Sequence, residues 1–386
     1  AAASRCRCFE AALAALRSFC QARATRRSAR ASCGRPGRRS VGIVDGVREE
    51  VARRGAGGVT QLLLRQDPAR SVDRAYTSVR DLGTGSFGSV REVMSVATGE
   101  HRALKLLDKA PNVNSKQDLR TELHALLRLD HPNVVRLCEF FEHRRYLYVV
   151  TELCEGGDFS QLMSGPCPRQ ELRLLFKDVT AGIAYCHARG VAHRDIKFAN
   201  CLLAAGASRR VGKVIDFGLA AMSLGDPEDF VAQGRCGTYL FMAPEVLDGS
   251  PYGPRCDVWS LGVMLFMILT RGEHPFARDP ARCDMRRLLA EACCSPVRSE
   301  ALAAATHDDF GAFDVALGLL TRDPAERLDA AAALEHPWLQ APETETEEAR
   351  QEMEAQTREL LRRLLAFAEL PASQRAARAL AARGTP

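Results

Sequence analysis

The sequence predicts an α+β chain of two lobes, a small β-rich one followed by a larger helical one. Three observations predict it. Apolar residues alternate at short range around Val79, Val90, Val93 and Ala103-Leu104, with tight turns between them, which is the period of strands. From residue 171 onward apolar residues recur at helical spacing in four long stretches. Between the two regimes, Glu155-Gly156-Gly157-Asp158 breaks the pattern and reads as a hinge.

Residues 1–70 precede both lobes and read as a disordered, Arg- and Ala-rich tail. The globular pattern starts at Tyr76, and the first lobe runs over 76–151. Its one helix is expected over 118–129, where Leu119, Leu123, Leu126 and Leu127 share a face. Further strands are expected at 134–137 and 147–150. The second lobe, 156–339, carries helices expected at 171–189, 258–271, 281–292 and 310–320. It closes near His336-Pro337-Trp338-Leu339. An acidic linker over 341–357 leads to a basic amphipathic stretch at 358–383, which Pro371 divides into two short helices.

The 386 residues, 46% of them hydrophobic, suffice for one large two-lobed domain with tails. The net charge of +5 is concentrated at the start: residues 1–40 hold ten Arg against the single acid Glu10, leaving −4 for the rest. That distribution argues against a nucleic-acid-binding domain. The fourteen cysteines follow neither zinc-site nor disulfide-framework spacing and read as free thiols of a reducing compartment. The longest apolar run, 258–269, is too short to span a bilayer, so no transmembrane segment is expected. A cytoplasmic, intracellular protein is the resulting expectation. The acid-poor start also suits a transit peptide, but it lacks a clean amphipathic pattern, and a low-complexity tail fits better.

The chemistry lies in a series of spaced motifs. Gly83-Thr84-Gly85-Ser86-Phe87-Gly88-Ser89-Val90 follows one strand and enters another. Glycines let backbone close over phosphate oxygens where a Cβ would collide. No helix follows directly, so this is not the dinucleotide-binding arrangement. Lys105, in Ala103-Leu104-Lys105, is a cation inside an apolar strand, costly unless it meets an anion. Glu122 on the next helix is the natural partner, and an edge-strand lysine in solvent is the plainer alternative. His193-Arg194-Asp195-Ile196-Lys197-Phe198-Ala199-Asn200 is more specific. Chemistry on a hydroxyl beside a triphosphate needs a carboxylate to take the proton, an ammonium to neutralise the moving phosphoryl and an amide oxygen for magnesium. Asp216-Phe217-Gly218 follows with a second metal-binding carboxylate.

In this order and spacing the motifs resemble the eukaryotic protein kinase family over residues 76–339. The resemblance implies a bilobal kinase fold with ATP and Mg2+ as ligands. It implies that Lys105 holds phosphates and pairs with Glu122, that Asp195 is the catalytic base, and that Asn200 and Asp216 ligate magnesium. Thr238, after Gly237, should bond Asp195 and Lys197, and with Lys197 it favours protein Ser/Thr substrates over Tyr. Thr151 aligns with the gatekeeper, Glu152 to Cys154 with the adenine-binding hinge, and Val90 and Ala103 with the nucleotide cleft. Glu245, in Ala243-Pro244-Glu245, should pair with Arg327, and Asp257 should anchor the catalytic loop.

Several segments are most similar to the calcium/calmodulin-dependent group: 131–137, 214–219, and 323–338 with its Asp323-Pro324-Ala325-Glu326-Arg327-Leu328. The 358–383 stretch looks like the autoinhibitory junction of calcium-dependent protein kinases. No EF-hand pattern follows it before Pro386, so the sensor is either missing from this piece or a separate calmodulin-like partner. A basic amphipathic segment suits a calmodulin groove, and equally a helix packed on the kinase or a solvated tail.

Two departures matter. Phe198-Ala199 replaces the family's Pro-Glu, which weakens the expected preference for Arg-rich substrates and leaves Asp158 and Glu155 as contacts for ribose or a substrate Arg. The activation segment holds few hydroxyls, and Asp226, Glu228 and Asp229 are expected to give Arg194 fixed negative charge in place of a phosphate. A pseudokinase scaffold is the alternative function. The presence of Lys105, Glu122, Asp195, Asn200 and Asp216 argues against it, and the Ala243-Pro244-Glu245 segment with Thr238 argues against a small-molecule kinase.

Overall fold

The computed structural model describes residue 43 and residues 71–85, 88–110, 116–165, 167–223, 230–280, 283–306 and 309–341. Residues 1–42 and 44–70 of the tail, Ser86, Phe87, residues 224–229, 342–357 of the linker and the 358–383 stretch lie outside them. The first lobe begins with a single helical turn, α1 (Val72–Ala75), and five strands: β1 (Tyr76–Gly85), β2 (Gly88–Ser95), β3 (His101–Asp108), β4 (Leu137–Glu142) and β5 (Tyr146–Glu152). They form an antiparallel sheet in the order β1-β2-β3-β5-β4, with α2 (Lys116–Arg128) between β3 and β4 in sequence. Leu119, Leu123, Leu126 and Leu127 of α2 are all buried, as their spacing predicts. Register places Val90, Lys105 and Val149 in one row across the sheet and Ala103 opposite Thr151.

The strand expected at 134–137 starts later. Val134 makes only a single parallel bridge to Val214. The segment is used instead to join the lobes: Val135 N–H donates to the Val214 carbonyl at 2.9 Å, and Asn133 Nδ2 donates to the Gly212 carbonyl at 3.0 Å. Paired strand begins only at Leu137, where Phe140 and Phe141 supply buried bulk.

The second lobe holds α3 (Gln161–Ser164), α4 (Arg169–His187), α5 (Pro244–Asp248), α6 (Arg255–Leu269), α7 (Met285–Cys294), α8 (Ser299–Ala305), α9 (Phe310–Leu319), α10 (Ala330–Leu334) and α11 (Pro337–Gln340). Two-stranded ribbons β6 (Val191–Ala192) with β9 (Ala221–Met222), and β7 (Cys201–Ala205) with β8 (Arg210–Val214), line the face toward the first lobe. Every residue of α6 from Cys256 to Ile268 is buried, so this helix is the axis of the lobe. Helix α9 packs on α6, and α10 packs on α4. Helix α7 starts later than the spacing predicts because Asp284 caps it, accepting from Arg287 N–H at 2.8 Å. Trp338 and Leu339 of α11 are buried. Ten cysteines among the described residues are free thiols. Among those residues no helix is long and apolar enough to cross a membrane.

Candidate active site

The site lies between the lobes. Gly88 turns the chain from β1 into β2 close against β3: a Cβ there would lie 1.8 Å from the Leu106 carbonyl oxygen, so only glycine fits. From β3, Lys105 Nζ reaches Glu122 Oε1 of α2 at 2.6 Å and Asp216 Oδ1 at 2.7 Å. This answers the cost of a cation in an apolar strand. Burial pushes Lys105 toward the neutral amine, but the two carboxylates outweigh it and hold the ammonium above the usual lysine range. Burial likewise pushes the Asp216 carboxyl up, and Lys105 reverses this and holds it down to about 2. Asp216 is therefore an anion at neutral pH.

The loop between β6 and β7 carries the second cluster. Asp195, Lys197 and Thr238 close a three-way contact. Lys197 Nζ donates to Asp195 Oδ2 at 2.6 Å and to Thr238 Oγ at 3.0 Å, while Thr238 Oγ donates to Asp195 Oδ1 at 2.9 Å. Asn200 Nδ2 donates to the Asp195 carbonyl at 2.8 Å and to Asp195 Oδ2 at 3.1 Å. With its nitrogen so used, the amide oxygen of Asn200 is the atom left to accept a cation. Magnesium with a triphosphate needs only one or two protein oxygens, since phosphates supply others. Asn200 and Asp216 meet that need. No cluster of three His, Cys, Asp or Glu suited to a metal occurs among the described residues.

Strained backbone marks both clusters. Arg194 has φ 66° and Asp216 φ 64°, in the left-handed region that non-glycine residues avoid. Buried Asp257, at the start of α6, holds the first in place. Its carboxylate accepts His193 N–H at 2.8 Å, Arg194 N–H at 2.7 Å and a 2.8 Å bond with His187 Nε2. Burial pushes this carboxyl up, and His187 and His193 bring it below the usual carboxylate range. His193 then links the clusters: its ring Nε2 donates to the Ile215 carbonyl at 2.8 Å, and the ring packs on Phe217. Gly237 passes so near that a Cβ would lie 2.4 Å from the Arg194 carbonyl oxygen, at φ +98°. Below this, Arg327 makes the two-pronged pair with Glu245 that its motif implies, at 2.7 and 3.0 Å, while its guanidinium lies over Trp259.

The hinge residues divide. Thr151 sits in the sheet between Ala103 of β3 and Leu137 of β4. The Glu152 carboxylate accepts Lys213 Nζ at 2.9 Å and Arg136 N–H at 2.8 Å. Burial pushes the Cys154 thiol up to about 11, which keeps it neutral and unreactive. The Asp158 carboxylate accepts Ser160 N–H at 2.9 Å and also bonds the Ser160 hydroxyl. The acids expected beside Arg194 lie outside the described residues. Among those residues its guanidinium donates to the Leu219 carbonyl at 2.7 Å and the Tyr252 hydroxyl at 3.3 Å. The sequence pattern does not point to His187, Tyr252 or the linking role of His193. Only the position of His193 within the motif offered a signal.

The protein kinase domain family matches residues 76–339, and the chain belongs to it. This family uses ATP with Mg2+. The chain is 32% identical to Serine/threonine-protein kinase 33 of Mus musculus, over 72% of this chain and 57% of that protein. It is 35% identical to CBL-interacting serine/threonine-protein kinase 9 of Arabidopsis thaliana, over 68% of this chain and 57% of that protein. It is also 33% identical to Serine/threonine-protein kinase PLK4 of Danio rerio, over 67% of this chain and 26% of that protein. The chain thus spans little more than half the length of the first two relatives.

Proposed function

We propose that this chain is a serine/threonine protein kinase that transfers the γ-phosphoryl of ATP to protein hydroxyls. The observation that carries the proposal is the closed contact among Asp195, Lys197 and Thr238, with Asn200 bonded to the same carboxylate. Asp195 accepts the proton of the substrate Ser or Thr hydroxyl as its oxygen bonds to phosphorus and the bond to the ADP oxygen breaks. Lys197 neutralises charge on the moving phosphoryl, and Thr238 keeps Asp195 turned toward the hydroxyl. Lys105, held by Glu122, binds the phosphates of the donor. Asn200 and Asp216 would hold magnesium, which would supply positive charge to offset that of the phosphates. The glycine-rich turn, Val90, Ala103, Thr151 and the 152–154 main chain enclose the nucleotide, and Asp158 stands by the ribose. Relatives at similar identity carry serine/threonine-protein kinase names, which supports the substrate class.

The motifs at 131–137, 214–219 and 323–338 favour the calcium/calmodulin-dependent group and calcium-linked signalling. The basic amphipathic 358–383 stretch is read as an autoinhibitory segment released by calmodulin or a calmodulin-like domain. Activity of the core is independent of activation-segment phosphorylation. The test uses labelled ATP and three peptides whose sole hydroxyl is on Ser, Thr or Tyr. Label on Ser and Thr is expected, and label on Tyr alone would overturn the substrate class. Ending the chain at Gln340 should raise the rate, and an unchanged rate would remove the autoinhibitory reading.

A further inference from the structure

The 3-10 turn that follows Thr238, Tyr239–Phe241, is held from within the second lobe. His274 lies in the loop after α6 and is 1% exposed. Its ring Nε2 donates to the Leu240 carbonyl, 34 residues back, at 2.8 Å. Its Nδ1 accepts Phe276 N–H at 3.1 Å and Ala277 N–H at 3.0 Å. Both ring nitrogens are thus engaged, one as donor and one as acceptor, which sets the tautomer. The next carbonyl of the turn, that of Phe241, accepts the Ser260 hydroxyl of α6 at 2.7 Å. On the other side Phe198, standing where the family has Pro, meets the Phe241 ring edge-on at 5.6 Å and 85°. Arg298 steadies the loop of His274: its main-chain N–H donates to the Pro275 carbonyl at 3.0 Å, and its guanidinium pairs with Glu273 at 2.7 Å.

We propose that His274 is a positioning residue for the protein substrate: it sets the Tyr239–Phe241 turn, along which the residues flanking the acceptor hydroxyl bind. The inference rests on the kinase reading above and adds to it a determinant of peptide affinity. Two observations support this role over plain filling of the core. A leucine would fill the space without desolvating two ring nitrogens, a cost offset here only because each nitrogen meets the main chain. The main chain that Nε2 meets is also the turn beside Thr238, whose hydroxyl bonds Asp195 at 2.9 Å. The acceptor hydroxyl must reach Asp195, and successive residues of an extended peptide lie about 3.3 Å apart, so the acceptor's neighbours pass along this turn. Removing the ring nitrogens leaves the Leu240 carbonyl without its donor, and the set turn becomes only a fraction of the population. Apparent peptide affinity falls by that fraction, whereas saturating peptide restores the turn.

The test compares full-length wild type with two variants. His274→Phe keeps a ring without nitrogens, and His274→Gln keeps an amide that can donate to Leu240 and accept at its oxygen. KM for a Ser peptide, KM for ATP and kcat are measured with Mg-ATP, and hydrogen exchange is followed at 238–243 with α4 as internal control. A buried carbonyl left unpaired shifts an equilibrium by on the order of tenfold. In His274→Phe, KM for the peptide should therefore rise about tenfold while KM for ATP and kcat stay within about twofold. Exchange at 238–243 should quicken while that of α4 stays fixed, and His274→Gln should recover most of both effects. If His274→Phe does not fold, Ser260→Ala carries the test, since it removes only the hydroxyl on the Phe241 carbonyl. It should raise peptide KM and quicken exchange in the same direction. Unchanged exchange at 238–243 in the folded variant would overturn the proposal, even if every form were inactive and the kinase reading had failed instead. So would an equal rise in KM for ATP, or equal loss of protection in α4, which would mark His274 as general packing.

Discussion

Replacing Asp257 by Asn changes one oxygen for an NH2 group and leaves the volume alone. The carboxylate is 1% exposed and accepts from three donors, His193 N–H, Arg194 N–H and His187 Nε2, at 2.7–2.8 Å. An amide has a single acceptor oxygen, so it holds one of the two backbone N–H groups and turns its own NH2 against the other. One charge-assisted bond is lost and one buried N–H is orphaned, a cost of about 2–4 kcal/mol. At roughly 2–4 °C per kcal/mol for a domain of this size, Tm falls by on the order of 10 °C. The orphaned group adjoins Arg194, whose φ of 66° is held by that bond, and Asp195 is the next residue. Relaxation there misaligns the base, and a displacement of about 1 Å costs on the order of a hundredfold in kcat. KM for ATP should change far less, since Lys105 and the glycine turn are untouched. Calorimetry and steady-state kinetics on the folded variant measure both. A Tm within about 2 °C of wild type, with unaltered kcat, would refute the view that Asp257 holds the catalytic loop.

Lys105→Met should lower kcat by on the order of 10²–10³ while leaving Glu122 and Asp216 without their shared cation, so Tm falls as well. Gly237→Ala places a Cβ 2.4 Å from the Arg194 carbonyl oxygen, whereas Gly99→Ala, at φ +71°, meets nothing within 4 Å. Both substitutions should cost about 1–2 kcal/mol for the left-handed backbone, and only the first should reduce kcat. His274 is buried, with Nε2 donating to the Leu240 carbonyl at 2.8 Å and Nδ1 accepting Phe276 and Ala277 N–H at 3.1 and 3.0 Å. Burial lowers its pKa to about 4 from 6.5, so the unfolded chain takes up the proton first as pH falls. Stability should decline from about pH 6.5 down to about pH 4, and His274→Gln should flatten that part of the curve; an equal slope in both would contradict the buried neutral ring.

The parts legible from sequence were those whose chemistry is compressed into a few residues. The 193–200 loop is one such part, because acid, lysine and amide must share one turn to face one phosphoryl. The Lys105–Glu122 pair was legible too, since a lysine in an apolar strand demands an anion and the next helix offers one. What escaped depends on distance. His187 ends a helix like any surface histidine, and its partner Asp257 is 70 residues on. The segment at 134–137 has strand composition, but Val135 N–H donates to the Val214 carbonyl of β8 across the lobes, a choice no local pattern encodes. Glu152 ends β5, and its carboxylate is drawn off by Lys213, 61 residues away, which no local pattern signals.

Phosphate transfer by wild type and Asp195→Asn tests the central claim most directly. The substitution keeps the size of the side chain, and its amide oxygen can still accept from Thr238 or Lys197, so the fold should hold while the proton acceptor is gone. With Mg-ATP and a basic Ser peptide, wild type should transfer phosphate and Asp195→Asn should lose on the order of 10²–10⁴ in kcat. Equal rates in the two, whether low or high, would contradict a catalytic role for Asp195 and with it the assignment of this cleft as a kinase active site.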